Sequence, residues 1–477
     1  MGTAEAHSFG AAGETVAPIS ARAGDTAAVA GRTGSGAQTD ADDEICQEVE
    51  RETFIPVTRF AIMERLTRSA AWPAGDAETA RRFFQFLAAW RHQSYTERLL
   101  RLKEAYMPFS PDRDTVRATK YDPSDLKRMQ RRLIKLVRCL LERANYRRID
   151  KEMLDQIFTE DSAFGLDLEV DLSEFEEALL YFRGAGSKTI HQRHWKTLFL
   201  RSEASEIPTY QRLFLLLKLK PAETRITEIM QEEGCEAKKA AKLLKRHRRM
   251  LPEEVSSDFV YLKLFKKIPR ADVQMLFPNT RVQFRPFDKV KLVLTAGGGT
   301  VASVASTVSK VLVAVNPIKA AFALIGLVGV VFRQVMKFFN QRNQYMMVLA
   351  QNLYFHNLAD NRGVLTLLSD RAEEEDIKEE MLLYALLAKE PLMEEELGEA
   401  QLAIEQYLEH EFGVTIEFDL LDALGRLKAD GVIIKGEDGT LRAMNPAEGC
   451  DHIDAMWDEY LNTADFFNSS EDAQQAA

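Results

Sequence analysis

Between residues 290 and 332 the chain carries only three charges, Lys291, Lys310 and Lys319, in a stretch dominated by Leu, Val, Ala, Gly, Ser and Thr. Basic residues bracket it: Arg281, Arg285 and Lys289 on one side, Arg333, Lys337 and Arg342 on the other. Such a run is poorly matched to the surface of a domain in water. A hydrocarbon core of roughly 30 Å takes about 20 helical residues, and this run is long enough for two crossings. In its middle Asn316 can cap and Pro317 can open a new helix. The pattern predicts a transmembrane helical hairpin over 289–338, with helices from Lys289 to about Val311 and from Pro317 to about Phe338. Lys310 and Lys319 then flank the turn, where long side chains reach the far interface.

Small residues recur at helical spacing within it. Gly298, Ala302 and Ser306 repeat every four positions, as do Gly299 and Ser303, and Gly326 and Gly329 stand on the second helix. Small residues on one face let helix backbones approach closely. Basic flanks on both sides place both on the cytoplasmic side, which a hairpin achieves and a single span does not. An apolar hairpin buried in a soluble domain is the competing arrangement for the same residues. The triplet Gly297–Gly299 before Thr300 lacks the spacing and the Lys-Ser/Thr pair of a phosphate loop.

The rest of the chain belongs in water. The mean hydropathy of the whole chain, -0.24, excludes a polytopic transporter. The net charge of -11 is unevenly placed: from Asp370 onward 7 Lys and Arg stand against 29 Asp and Glu, leaving +11 for residues 1–369. A basic body beside a membrane segment suits anionic headgroups; solvated helical charge accounts for the same numbers. Cys46, Cys139, Cys235 and Cys450 are scattered, without metal-ligand spacing, which fits a reducing compartment. No apolar secretory segment stands near residue 1, and Glu5, Glu14 and Asp25 argue against a mitochondrial transit peptide.

The expected fold class is α+β, in seven parts. Residues 1–44 are Ala-, Gly-, Thr- and Ser-rich and are expected to be disordered. Residues 45–150 read as helical, with a basic amphipathic helix opened by Asp122 and Pro123. Residues 151–288 read as a mixed α/β body whose strands are ALLYFRG, RLFLLLKLK, FVYLKLFKKIP and RVQFRPF, with a basic helix from Glu236 to Met250. After the hairpin, 339–369 is a connecting helix and turn. Residues 370–447 run helix (374–389), helix (393–410), short strand, helix capped by Asp419 and ended by Gly431, then a hairpin. That is the order of a winged helix. Its acidic balance disfavours nucleic acid, whose phosphates need Lys and Arg, and favours a protein partner. Residues 448–477 read as an acidic tail.

No catalytic, metal or cofactor constellation is recognisable. His191 and His194 form HxxH without a third ligand. Arg183-Gly184 at a strand end is a candidate ligand contact or a plain turn, and Asp272 and Asp288 are isolated carboxylates.

Several stretches carry a resemblance: FIPVTRFAIMERL at 54–66, LLYFRG at 179–184, IPTYQRLFLLLKLK at 207–220, YLKLFKKIPRADVQMLFPNTRVQFRPFDKVKL at 261–292 and QNLYFHNLADNRGVLTLLSDRAEEEDIKEEMLLY at 351–384. Together they resemble, over about 50–445, the uncharacterised family that includes the mitochondrial transmembrane protein 143 and bacterial and plant relatives. The resemblance implies a membrane-associated protein with two close spans and no established activity. It singles out Phe265, Lys266, Ile268, Pro269, Ala271, Asp272 and Pro278, and Tyr354, Asn357, Asn361 and Gly363, beside Arg183 and Gly184, as positions to test. Asn361 and Gly363 are expected to serve a turn. The acid-containing N-terminus departs from a mitochondrial member, so a bacterial inner membrane is the expected location. The expected function is a membrane-anchored scaffold or adaptor, with the bilayer and an unidentified protein as partners and no cofactor. The alternatives are an enzyme or small-ligand sensor with its site in the α+β body, and a membrane-tethered transcription regulator.

Overall fold

In a computed structural model, residues 51–68, 72, 76–112, 121–159, 167–193, 202–252, 255–283, 333 and 354–463 are described. The expected disordered segment 1–44 and the hairpin 289–338, with Gly298, Gly299, Ala302, Ser303, Ser306, Gly326 and Gly329, lie outside these, apart from Arg333. Among the described residues no helix is long and apolar enough to cross a membrane.

An antiparallel sheet of five strands organises the molecule, in the order β1 (Arg147–Ile149), β3 (Phe175–Arg193), β4 (Ser202–Leu219), β5 (Tyr261–Pro269) and β7 (Asn357–Asp360). The short strands β2 (Asp167–Glu169) and β6 (Arg281–Gln283) pair separately. Alternation along β3 and β4 divides the sheet's faces. Leu179, Tyr181, Phe214, Leu216, Leu262 and Leu264 point to one core, and Leu180, Phe182, Leu213, Leu215 and Phe265 to the other.

The first face is covered by α2 (Asp76–Tyr106), α3 (Pro123–Arg143) and α7 (Arg362–Leu387). The second is covered by α4 (Lys151–Thr159) and a 3-10 turn at Arg270–Leu276. The helix α3 begins as its sequence dictates, with the Asp122 carboxylate accepting from the Ser124 N–H and Pro123 in the first turn. Two further helices, α5 (Ala222–Glu233) and α6 (Ala237–His247), pack on each other through Ile229, Ala240 and Leu244. Lys238, Lys239, Lys242, Lys245 and Arg246 are left exposed.

The C-terminal elements are α8 (Leu397–Phe412), α9 (Leu420–Ala429), the hairpin β8 (Ile433–Lys435) and β9 (Leu441–Ala443), and α10 (Pro446–Thr463). Asp419 caps α9, and Gly431 follows it at φ +72°, as the sequence implied. The segment 414–418 makes one bridge, Ile416 to Glu52, and is not a strand of a C-terminal sheet. Leu392, between α7 and α8, bridges to Leu441.

Two readings of the sequence change here. The first half of the expected acidic tail is α10, which packs on α2: Ile453 is fully buried, the Trp90 and Trp457 rings meet edge to face at 5.4 Å, and a Cβ on Gly449 would meet the Phe83 ring at 2.6 Å. The helix placed at 374–389 is 26 residues long and begins at Arg362. One apolar core joins α1 (Arg59–Leu66), α2, α7, α8, α9 and α10, so the N-terminal helices and the C-terminal elements are packed together.

Candidate functional site

From Glu375 to Ala385 every residue of α7 is buried, including Glu375, Asp376, Lys378, Glu379 and Glu380. A helix charged on all sides is normally solvated. This one is enclosed because its neighbours supply arginines. The Arg426 guanidinium of α9 donates to Glu380 at 2.7 Å, to Glu379 at 2.7 Å and to Asp422, and lies 3.2 Å from Asp376. Arg91 of α2 donates to Glu380 at 3.2 Å and to Asp430. Arg143 of α3 reaches Asp376 at 3.3 Å, and the Tyr95 hydroxyl donates to the same carboxylate at 2.7 Å. Arg183 of β3 and Lys378 both bind Glu375, at 2.5 and 2.6 Å, and Lys378 also donates to the Ile55 carbonyl.

Negative charge is in excess within this network. Asp376, Glu379, Glu380, Asp422 and Asp430 face Arg91, Arg143 and Arg426. Burial raises the carboxyl of Glu379 to about 8 and that of Glu380 to about 7, against the pull of the arginines. Asp376 is raised for the same reason. Burial works against the charge of Arg91 and Arg426, but the surrounding carboxylates outweigh it and hold both more firmly protonated. Asp376, Glu379 and Asp422 have carboxylate oxygens within 4.8 Å of one another, a spacing that suits a cation. The guanidinium of Arg426 already contacts all three. A protein cation therefore takes the place a metal would fill. Arg426 and Asp430, on and just after the third helix of the winged-helix order, are turned inward, onto α7 and α2.

A second charged feature lies at one end of the sheet. Cross-strand register places Arg183 opposite Arg212, and Arg212 opposite Lys266. All three extend the face that carries Tyr181, Phe214 and Leu264. Arg183 is buried, its guanidinium 4.4 Å above the Phe54 ring. Arg212 is half-buried; burial, then Arg371 and Arg183, draw its pKa down, opposed only by Tyr146. Gly184 sits beside Arg183 at φ +78°, where a Cβ would meet the Gln211 side chain at 2.9 Å.

The other positions singled out in the sequence are dispersed. Phe265 and Ile268 are core residues of the sheet's second face. Pro269 ends β5, and Ala271 and Asp272 are buried in the 3-10 turn that Pro278 follows. Asn361 holds a turn by itself at φ +48°. Its side chain accepts from the Tyr106 hydroxyl and the Leu262 N–H and donates to Asp112. Gly363 has no left-handed backbone and lies in the first turn of α7, so the expected turn role belongs to Asn361 alone. Asn357 donates to Asp360 at 3.0 Å. Tyr354 and Phe355 are 77% and 67% exposed. Of the HxxH pair, His191 is in β3 and His194 lies outside the described residues.

Sequence reasoning missed Arg91, Arg143, Arg212 and the inward side of α7. Residues 175–363 match a family described as a protein of unknown function, DUF3754. No solved structure matches the chain. The match opens at the first residue of β3 and closes in the first turn of α7. It takes in the row Arg183–Arg212–Lys266 and the uncharged segment, and excludes the acidic turns of α7 and the whole of α9. The chain thus contains a DUF3754 domain of unknown function over residues 175–363.

Proposed function

We propose that the protein is a membrane-anchored scaffold or adaptor, with the bodies on either side of the uncharged segment on the same, cytoplasmic, side of a bacterial inner membrane. The observation that carries this reading is where the segment leaves and rejoins the fold. The chain departs after β6 and returns through β7, which pairs with β5 in the central sheet: Lys263 opposes Asp360 and Leu264 opposes Ala359. A sheet cannot be divided by a bilayer. An excursion that starts and ends in one folded body crosses twice or dips in and out, which is the hairpin geometry of 289–338. The exposed pair Tyr354 and Phe355 at the point of return fits the headgroup level, where aromatic side chains concentrate. The exposed basic side of α6 fits an anionic surface.

The winged-helix-like reading of the C-terminal elements rests on their order and on the Leu392–Leu441 bridge, which supplies a third strand contact to the β8–β9 pair. The outer side of α9 presents Leu421, Asp422, Gly425 and Ala429, a surface suited to a protein and not to phosphates. The sequence likeness to the transmembrane protein 143 family is in keeping with this reading.

Alkaline carbonate extraction of membranes tests the anchor, with the full chain compared with one lacking residues 290–339. The full chain is expected in the pellet and the deleted chain in the wash. Equal release of both would place the segment in a soluble core.

A further inference from the structure

We infer that the row Arg183–Arg212–Lys266 is a binding site for a phosphate group. Residues directly opposite on one sheet face stand about 5 Å apart, and like charges there are destabilising. Here three cations stand in consecutive register on strands β3, β4 and β5. Arg371 bears on the same place, since it acts on both Arg212 and Tyr146. Lys378 adds a fifth cation through Glu375.

The carboxylates facing them are few and engaged. Glu375 is bound by Arg183, Lys378 and the Ile55 N–H, and Glu374 pairs with Arg371 at 2.9 Å. Glu52, at the neighbouring Ala185, accepts that residue's N–H. Among the described residues Arg212 donates only to the Gln211 carbonyl, and Lys266 has no carboxylate partner. The buried Nε of Arg183 has no hydrogen-bond partner. An arginine does not shed its proton to relieve such crowding, whereas an added anion would relieve it.

The chemistry of the row selects the anion. A single carboxylate is satisfied by one guanidinium fork. A phosphate offers more oxygens and up to two negative charges, enough for two guanidinium groups and an ammonium spread over two strand spacings. The phosphate of a lipid headgroup and a free phosphate share this chemistry. The Lys266 end of the row abuts β7's approach, where His356 meets the Lys266 carbonyl at 2.7 Å beside exposed Phe355. On the membrane-anchored reading proposed above, on which this part of the inference rests, a lipid phosphate is within reach of the site.

The site stands apart from the anchor, and its test needs no insertion into a bilayer. The full chain is purified in a non-ionic detergent, and its thermal unfolding is followed in sodium chloride and in inorganic phosphate at matched ionic strength and pH 7. At ten times the dissociation constant, phosphate favours the folded state about elevenfold, raising the transition temperature. Arg212→Gln is expected to abolish that rise. It should also melt higher than the parent without phosphate, because the charge crowding is gone. Lys266→Gln is the second variant, should Arg212→Gln not fold. In parallel, phosphatidylcholine vesicles with and without phosphatidic acid are floated with each protein. Binding of phosphatidic acid vesicles that Arg212→Gln removes, without any effect of free phosphate, identifies a lipid phosphate as the ligand. Binding of neither probe overturns the site. So does equal binding by the parent and both variants, or binding removed only by Lys238→Gln with Lys242→Gln on α6. A chain that resists carbonate extraction yet binds neither probe loses the site and keeps the anchor; one that washes off yet binds phosphate does the reverse.

Discussion

Around α7 the carboxylates Asp376, Glu379, Glu380, Asp422 and Asp430 crowd three arginines, whereas at the end of the sheet Arg183, Arg212 and Lys266 stand in one cross-strand row in which, among the described residues, only Arg183 meets a carboxylate, Glu375. The signs are opposite and so are the remedies. A surplus of buried carboxylate is relieved from within by proton uptake, since burial lifts Glu379 to about 8 and Glu380 to about 7. A surplus of arginine has no such outlet near neutral pH. One cluster is closed on itself and serves the fold. The other is left open to an external anion.

The largest effect expected from breaking this contrast is at Arg426. Arg426→Met leaves four carboxylates without their shared cation, and removing one partner from a buried charge cluster typically costs about 3–5 kcal/mol. Urea unfolding is expected to show a loss of that size. A change under 1 kcal/mol would mean that the network is hydrated and not closed. Glu375→Gln ranks next, because it strips the charge that both Arg183 and Lys378 contact. Hydrogen bonds to charged groups are worth about 1.5–3 kcal/mol, and the same titration reads the loss.

The third effect is a dependence on pH. Glu379 and Glu380 have folded values above the ordinary 4.5, so folding takes up protons between about pH 4.5 and 8. Their contribution to stability is complete below that window and is lost as pH rises through it. Lys378, lowered by burial, pulls the other way at higher pH. The decisive reading is thus the difference between parent and Glu379→Gln. The variant is expected to show a flatter fall in unfolding temperature from pH 5.5 to 8.5, and an identical slope would remove Glu379 as the titrating group. The smallest effect is at Arg212, where Arg212→Gln should raise stability by about 0.2–1 kcal/mol in the absence of phosphate, the usual scale of a cross-strand pair. A fall instead would mean that its guanidinium supports the fold.

What the sequence disclosed and what it hid differ by distance along the chain. Asp122 with Pro123, Asp419 and Gly431 are local devices acting within a few residues, and each stands where its type implies. The acidic turns of α7 look like a solvated face because their partners are remote: Arg91 is 289 positions from Glu380, and Arg183 is 192 from Glu375. The charge imbalance between the halves of the chain is partly this pairing seen in one dimension. The basic row was equally hidden. Arg183 and Lys266 are visible singly, but only the register of β3, β4 and β5 brings them into line with Arg212. In α10 the signal was present, with Pro446 at its start and Ile453 and Trp457 on one side, but it was masked by the acidic composition around it.

The central claim is that the uncharged segment leaves and re-enters one folded body, so that both flanks lie on one side of a membrane. Thiol labelling in sealed membrane vesicles tests it directly. One chain keeps only Cys139, which is exposed and precedes the segment. A second keeps only a cysteine introduced by Glu437→Cys in the exposed β8–β9 turn that follows it. The account predicts that an impermeant maleimide reaches both from the cytoplasmic face and neither from the other. Labelling of the two from opposite faces would contradict it, because the sheet that joins β5 to β7 would then have to span the bilayer.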